Sequence, residues 1–147
     1  MRILLLLTLL LNGCSSFPGP KPELVYQDSA SGSVPNAVIE TALCSNDLML
    51  EVVSLSIWRV SDNNQHEMVY QSEHTHKCPV VELQPGIYFI AFDVYRYKRG
   101  SRRGYGKVVI NAGHRYIFHY DIYRYWWTVW LENVETGEVV LGSKIPY

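Results

Sequence analysis

Ile87-Tyr88-Phe89-Ile90-Ala91-Phe92-Asp93-Val94-Tyr95-Arg96-Tyr97 is the stretch whose reading decides the fold. Side chains on an extended chain alternate between two faces, so Tyr88, Ile90, Phe92 and Val94 share one side and Phe89, Ala91, Asp93 and Tyr95 the other. The first set is the expected core face, and the run reads as a long strand. Immediately before it, Gln84-Pro85-Gly86 is a turn, and Val80 to Leu83 is a shorter strand.

The pattern continues in both directions. Upstream, Ala37 to Leu43 and Leu48 to Val60 are rich in Val, Ile and Leu, and Val53, Leu55 and Ile57 alternate with Ser54 and Ser56. Ser61-Asp62-Asn63-Asn64-Gln65 is a turn cluster, from which Glu67 to Ser72 returns as a hairpin partner. Downstream, Lys98 to Gly104 reads as a glycine- and arginine-rich loop, Tyr105 to Ile110 as a strand and Asn111 to His114 as a turn. Arg115 to Ile122 is a strand with Tyr116, Phe118 and Tyr120 on one side. Trp127 to Val134 then pairs with Val139 to Leu141 through Glu135-Thr136-Gly137-Glu138, where Gly137 supplies the left-handed residue. No ten-residue stretch beyond the leader carries a helical stripe. Many short strands joined by tight turns imply an all-β domain over residues 36–147, an antiparallel β-sandwich of immunoglobulin-like type.

The N-terminal residues carry a different message. Met1-Arg2 is a short positive start, Ile3 to Leu11 is an apolar run interrupted by Thr8, and Leu11-Asn12-Gly13-Cys14 closes it. That is the plan of a secretory signal. A helix of this length rises ~1.5 Å per residue and covers about half of a ~30 Å hydrocarbon core, too little for a permanent span. The closing four residues resemble the lipobox of bacterial lipoproteins. The resemblance implies a signal peptide over 1–13, cleavage before Cys14, and a diacylated Cys14 with no other cofactor. An ordinary signal peptide cut near Gly13 is the competing reading. Residues 14–35 then form the lipidated cysteine and a tether, with Pro18, Pro20 and Pro22 in alternate places and the small polar run Ser29 to Ser33. Leu24-Val25-Tyr26 within it reads equally well as a short edge strand.

Composition bounds the partners. The formal charge is -1 over 147 residues, and it becomes one unit more negative when Arg2 leaves with the signal, which argues against a nucleic-acid field. Hydrophobic residues make up 48% of the chain, part of it leader. Of three cysteines, lipidation of Cys14 leaves Cys44 and Cys78 for a disulfide in an export compartment, with two buried thiols as the alternative.

Leu83-Gln84-Pro85-Gly86-Ile87-Tyr88, followed after a strand by Ala112-Gly113-His114-Arg115-Tyr116, resembles the "PG-x-Y … AG-x-x-Y" frame of small bacterial β-sandwich modules. Carboxypeptidase-regulatory-like, transthyretin-like and PEGA-type domains share that frame, as do several bacterial envelope lipoproteins. The likeness spans about Val80 to Leu141. It implies a mostly non-catalytic fold and an envelope address, and it carries no site residues. Ser15 after the modified cysteine resembles the pattern that permits transport to the periplasmic face of an outer membrane where the cell has two.

Three constellations remain. Arg96, Lys98, Arg99, Arg102 and Arg103 crowd one loop beside Tyr95, Tyr97 and Tyr105, a set suited to phosphate or carboxylate on an anionic envelope glycan or lipid, or equally to a solvated hairpin tip. Tyr123, Tyr125, Trp126, Trp127 and Trp130 form an aromatic cluster in which Trp130 is expected in the core and Trp126 stands equally between core and binding surface. His74, His76 and Cys78 alternate along one side of a strand but lack further ligands, so no metal is expected. His119, Asp121 and Asp93 have no placed nucleophile, and no catalytic residue is expected. The expected activity is non-catalytic binding or scaffolding, with the membrane and an envelope protein as partners.

Overall fold

A strand that buries one face needs a second layer to bury it against, and here two sheets supply each other. The fold is described by a computed structural model covering residues 22–29, 33–41, 50–75, 78–123 and 126–144. The strands are β1 (Pro22–Gln27), β2 (Ala37–Thr41), β3 (Leu50–Val60), β4 (His66–Thr75), β5 (Cys78–Leu83), β6 (Gly86–Arg96), β7 (Gly100–Ile110), β8 (Arg115–Ile122), β9 (Trp127–Asn133) and β10 (Glu138–Gly142). One sheet is six-stranded in the order β1-β5-β2-β8-β9-β10; the other is four-stranded, β4-β3-β6-β7. The β-sandwich expected from the alternation is the observed architecture.

The core lies between the sheets. Tyr88, Ile90, Phe92 and Val94 of β6 are all buried, facing Tyr116 and Phe118 of β8, Trp127, Val129 and Leu131 of β9, and Ile39 of β2. Each such side chain contributes about 1.5–3 kcal/mol by leaving water. Phe92 and Phe118 meet edge to face across the layers at 5.1 Å, a geometry that adds ~0.5–1.5 kcal/mol. The tyrosines of the sequence frame are core residues: Tyr88 and Tyr116 are fully buried, and the Tyr116 hydroxyl accepts from Asn111 N–H at 2.9 Å. Gly137 takes the left-handed φ of 70° that the β9–β10 turn requires.

Three expectations change. The sheets are antiparallel except for two pairs, β1 with β5 and β2 with β8, which run parallel. Of the two readings of Leu24-Val25-Tyr26, tether or short edge strand, the edge strand is the observed one: residues 22–27 form β1, so the sandwich begins before residue 36. Most of the expected loop Lys98 to Gly104 is strand: only Tyr97-Lys98-Arg99 turns, and β7 pairs with β6 from Gly100 to Ile110. Glycine at 104 makes that pairing possible, because a Cβ there would collide with the Phe92 ring.

The registers give the sandwich two distinct ends. At the near end β1, β3, β5, β7 and β9 begin, and β4, β6 and β8 finish. The turns 61–65, 84–85, 111–114 and 134–137 sit at the far end.

Candidate interaction surface

At the near end, Arg96 and Gly100 close the β6–β7 register, and Arg99 N–H donates to the Arg96 carbonyl at 2.9 Å across the turn. Lys98 holds φ at 62°, where glycine or asparagine is less strained. The turn reaches over to the six-stranded sheet. Arg99 Nη1 donates to the Tyr123 carbonyl at 3.0 Å, Arg102 Nε donates to the Trp127 carbonyl at 2.9 Å, and Trp127 Nε1 donates to the Arg99 carbonyl at 3.4 Å. Arg102 also lies over the Trp127 ring at 5.7 Å, and Lys98 over Tyr97 at 5.4 Å. The carbonyls and rings that orient Lys98 and Arg102 carry no net charge to cancel theirs.

The expected basic patch is therefore divided. Lys98, Arg99 and Arg102 gather at the near end and Arg96 is half-buried at the last position of β6, whereas Arg103 points to the outer face of the four-stranded sheet, paired with Asp93 at 2.6 Å. Arg99 and Arg102 brace the two sheets together as well as charging this end.

Trp126 is half-buried and stacks on Tyr123 with centroids 4.4 Å apart, while Tyr123 N–H donates to the Trp126 carbonyl at 2.7 Å. The Tyr123 hydroxyl titrates above its ordinary value because it is hydrogen-bonded to Asp121. Trp127 is a core residue. Trp130 is buried on the opposite face of β9, beneath His119 at 5.5 Å, with its indole N–H on Glu132 at 3.1 Å. Glu132 titrates low because Lys144, 2.7 Å away, and that indole both bond to its carboxylate.

The alternation along the strands also builds a surface that the sequence reading did not single out. Trp58 of β3 is in register with Phe89 of β6 and with Met68 of β4, and the Phe89 ring lies 5.8 Å from Trp58 and 6.2 Å from Tyr105 of β7. Ile87 and Val109 form the next register pair. On this outer face Tyr105 is 75% exposed, Val109 61%, Ile87 47% and Met68 46%. The signal was present in β6, which carries Ile87 and Phe89 on the face opposite the core.

The far end uses similar residue types differently. Asp28, almost wholly buried, forms an ion pair with Arg59, accepts from the Tyr26 hydroxyl at 2.8 Å, and accepts from Gln84 N–H at 3.1 Å. Arg59 also donates to the Tyr88 hydroxyl at 3.3 Å, which donates to the Gln84 carbonyl at 2.9 Å. Burial opposes the charge on Asp28, yet the bonds from Gln84, Tyr26 and Arg59 outweigh it and hold the carboxyl below its ordinary value. Burial, then the bond to Asp28, push Tyr26 up to about 12. The carboxylate's partners are all in place, and the node clamps β1 to β3 and β6.

Cys78 is buried at the start of β5. Its expected partner Cys44, the expected lipid site Cys14 and His76 all lie outside the described residues. Among the described residues no three His, Cys, Asp or Glu side chains gather as a metal site. Comparison with family models, with curated proteins and with solved structures gives no significant match.

Proposed function

We propose that the chain is an exported, lipid-anchored β-sandwich that serves the cell envelope as a non-catalytic scaffold, docking a membrane or envelope protein. The observation that carries this reading is the partly exposed apolar face Met68, Trp58, Phe89 and Tyr105 across the four-stranded sheet, flanked by exposed Ile87 and Val109. Contiguous exposed apolar surface of this kind, with aromatics at its centre, marks protein interfaces. The leader and Cys14 support the anchor and the envelope address, to the outer membrane where there are two. The resemblance of the Pro85-Gly86-Ile87-Tyr88 and Ala112-Gly113 frame to PEGA- and transthyretin-like modules supports a binding role. A bridge from Cys78 to Cys44 is supported by the burial of Cys78, whose sulfur is in the disulfide form.

Anchoring confines the domain to a surface, so weak contacts act at high local concentration. The test is affinity purification of the tagged, lipidated protein after mild crosslinking. A defined membrane or envelope protein should copurify and be lost with Tyr105→Ser. Equal recovery with Tyr105→Ser, or retention only on purified envelope polymer, would contradict the scaffold reading. Uptake of labelled fatty acid that disappears with Cys14→Ser checks the anchor independently.

A further inference from the structure

We propose that the near end of the sandwich faces the bilayer, with the Tyr97-Lys98-Arg99 turn and the Tyr123–Trp126 stack resting on anionic lipid headgroups. This deepens the lipoprotein reading and rests on it. Only seven residues, Ser15 to Lys21, separate Cys14 from the first residue of β1. Fully extended they reach at most about 25 Å. The eleven residues of β6 span about 36 Å from one end of the sandwich to the other. The leash holds the domain against the bilayer, and because β1 itself runs only about 20 Å toward the far end, the choice of end rests on the chemistry of the two ends.

The chemistry of that end fits the surface it would meet. Arg96, Lys98, Arg99 and Arg102 fall within seven residues, whereas the far-end turns 61–65, 84–85, 111–114 and 134–137 contain Asp62 and Glu135 and neither Lys nor Arg. Arg102 and Lys98 are steered by carbonyls and rings, which leaves their charge for an outside anion. Asp121, at this end of β8, is already engaged, bonded to Ile122 N–H. Tyr97 is 55% exposed, and Tyr123 and Trp126 are half-buried, aromatic residues of the kind that settle at headgroup level. Lysine at a left-handed φ of 62° is consistent with a residue kept for its charge at a position that would suit glycine better.

The experiment uses the full lipidated chain reconstituted in vesicles of phosphatidylethanolamine and phosphatidylglycerol, or of phosphatidylcholine alone, with lipids brominated near the glycerol as tryptophan quenchers. Quenching should be strong in the anionic vesicles, weak in phosphatidylcholine, and relieved by half-molar salt. It should vanish with Trp126→Phe and persist with Trp58→Phe. Lys98→Asn, which keeps the turn, should shift the docked-to-undocked ratio about fivefold, while Lys107→Asn should leave it unchanged. Quenching that follows Trp58, or that ignores lipid charge and Lys98, would overturn the proposal. Relief by millimolar inorganic phosphate at constant ionic strength would also overturn it, marking a small-anion site. A protein that takes up no fatty acid yet binds the anionic vesicles through Lys98 would sink the lipoprotein reading alone.

Discussion

Arg59 and Arg102 sit at opposite ends of the same sandwich and each leans on an aromatic ring at 5.7 Å, Tyr88 for the first and Trp127 for the second. Their remaining partners differ. Arg59 meets a nearly buried carboxylate, so its charge is neutralised in place; Arg102 meets the carbonyls of Trp127 and Ser101, so its charge persists. Arginine and aromatics in proximity therefore do not define a binding site. What decides is whether a counter-charge is already present, and that separates a clamp at the far end from an anion-facing surface at the near end.

The contrast breaks most readily at the clamp. Asp28→Ala leaves Arg59 without its carboxylate and should cost about 2–4 kcal/mol, with part recovered in the double variant that adds Arg59→Met. Urea denaturation measures both, and a loss below half a kcal/mol would show that the clamp does not hold the fold. Gly104→Ala tests the seating of the near-end hairpin. The Phe92 ring must move to admit the methyl group, at a cost of about 1–3 kcal/mol and with loss of its contact to Phe118. Arg102→Ala should cost only about 1 kcal/mol, because the Trp127 carbonyl at the sheet margin can turn to water.

The far-end node should make stability depend on pH at both extremes. The folded pKa of Asp28 is depressed, so its stabilisation is complete above its unfolded value near pH ~4 and is lost as pH falls through the lower folded value. Tyr26 acts in the opposite sense: its folded pKa is raised to about 12, so the stability it contributes is intact below its unfolded value of ~10 and is lost as pH rises through 12. Asp28→Asn should flatten the acid limb of a stability–pH curve, and Lys98→Asn should leave it untouched. The smallest effect separates stability from binding. Lys98→Gly should stabilise the fold by about 0.5 kcal/mol, by relieving the left-handed backbone, while weakening attachment to anionic vesicles.

The sequence made some of these features legible and hid others for physical reasons. The core face of β6 follows from alternation over eleven residues, and Arg115–Ile122 emerges with the bounds its pattern suggests. Strand β1 is obscured because its alternating part is three residues long and follows a proline run, and what holds it is parallel pairing to β5, more than fifty residues away. The start of β7 reads as a loop because Gly100 to Gly104 has little β preference of its own, and it becomes strand through its register with β6. Asp28 and Arg59 are thirty-one positions apart, with nothing local to announce the pair. The five-residue basic patch was visible as composition, but composition could not show that Arg103 turns outward to Asp93 while Arg99 and Arg102 turn inward to carbonyls. The aromatic face was hidden for a similar reason, since Trp58, Phe89 and Tyr105 come from three strands that meet only in the sheet.

The account turns on which end of the sandwich meets the membrane. Amide line broadening by headgroup spin-labelled lipid, measured on the lipidated chain in anionic nanodiscs, reads this directly. The account predicts broadening at Tyr97, Lys98, Arg99, Tyr123 and Trp126, with the 61–65, 111–114 and 134–137 turns unaffected. Broadening centred on those far-end turns, or on Trp58, Phe89 and Tyr105, would contradict it.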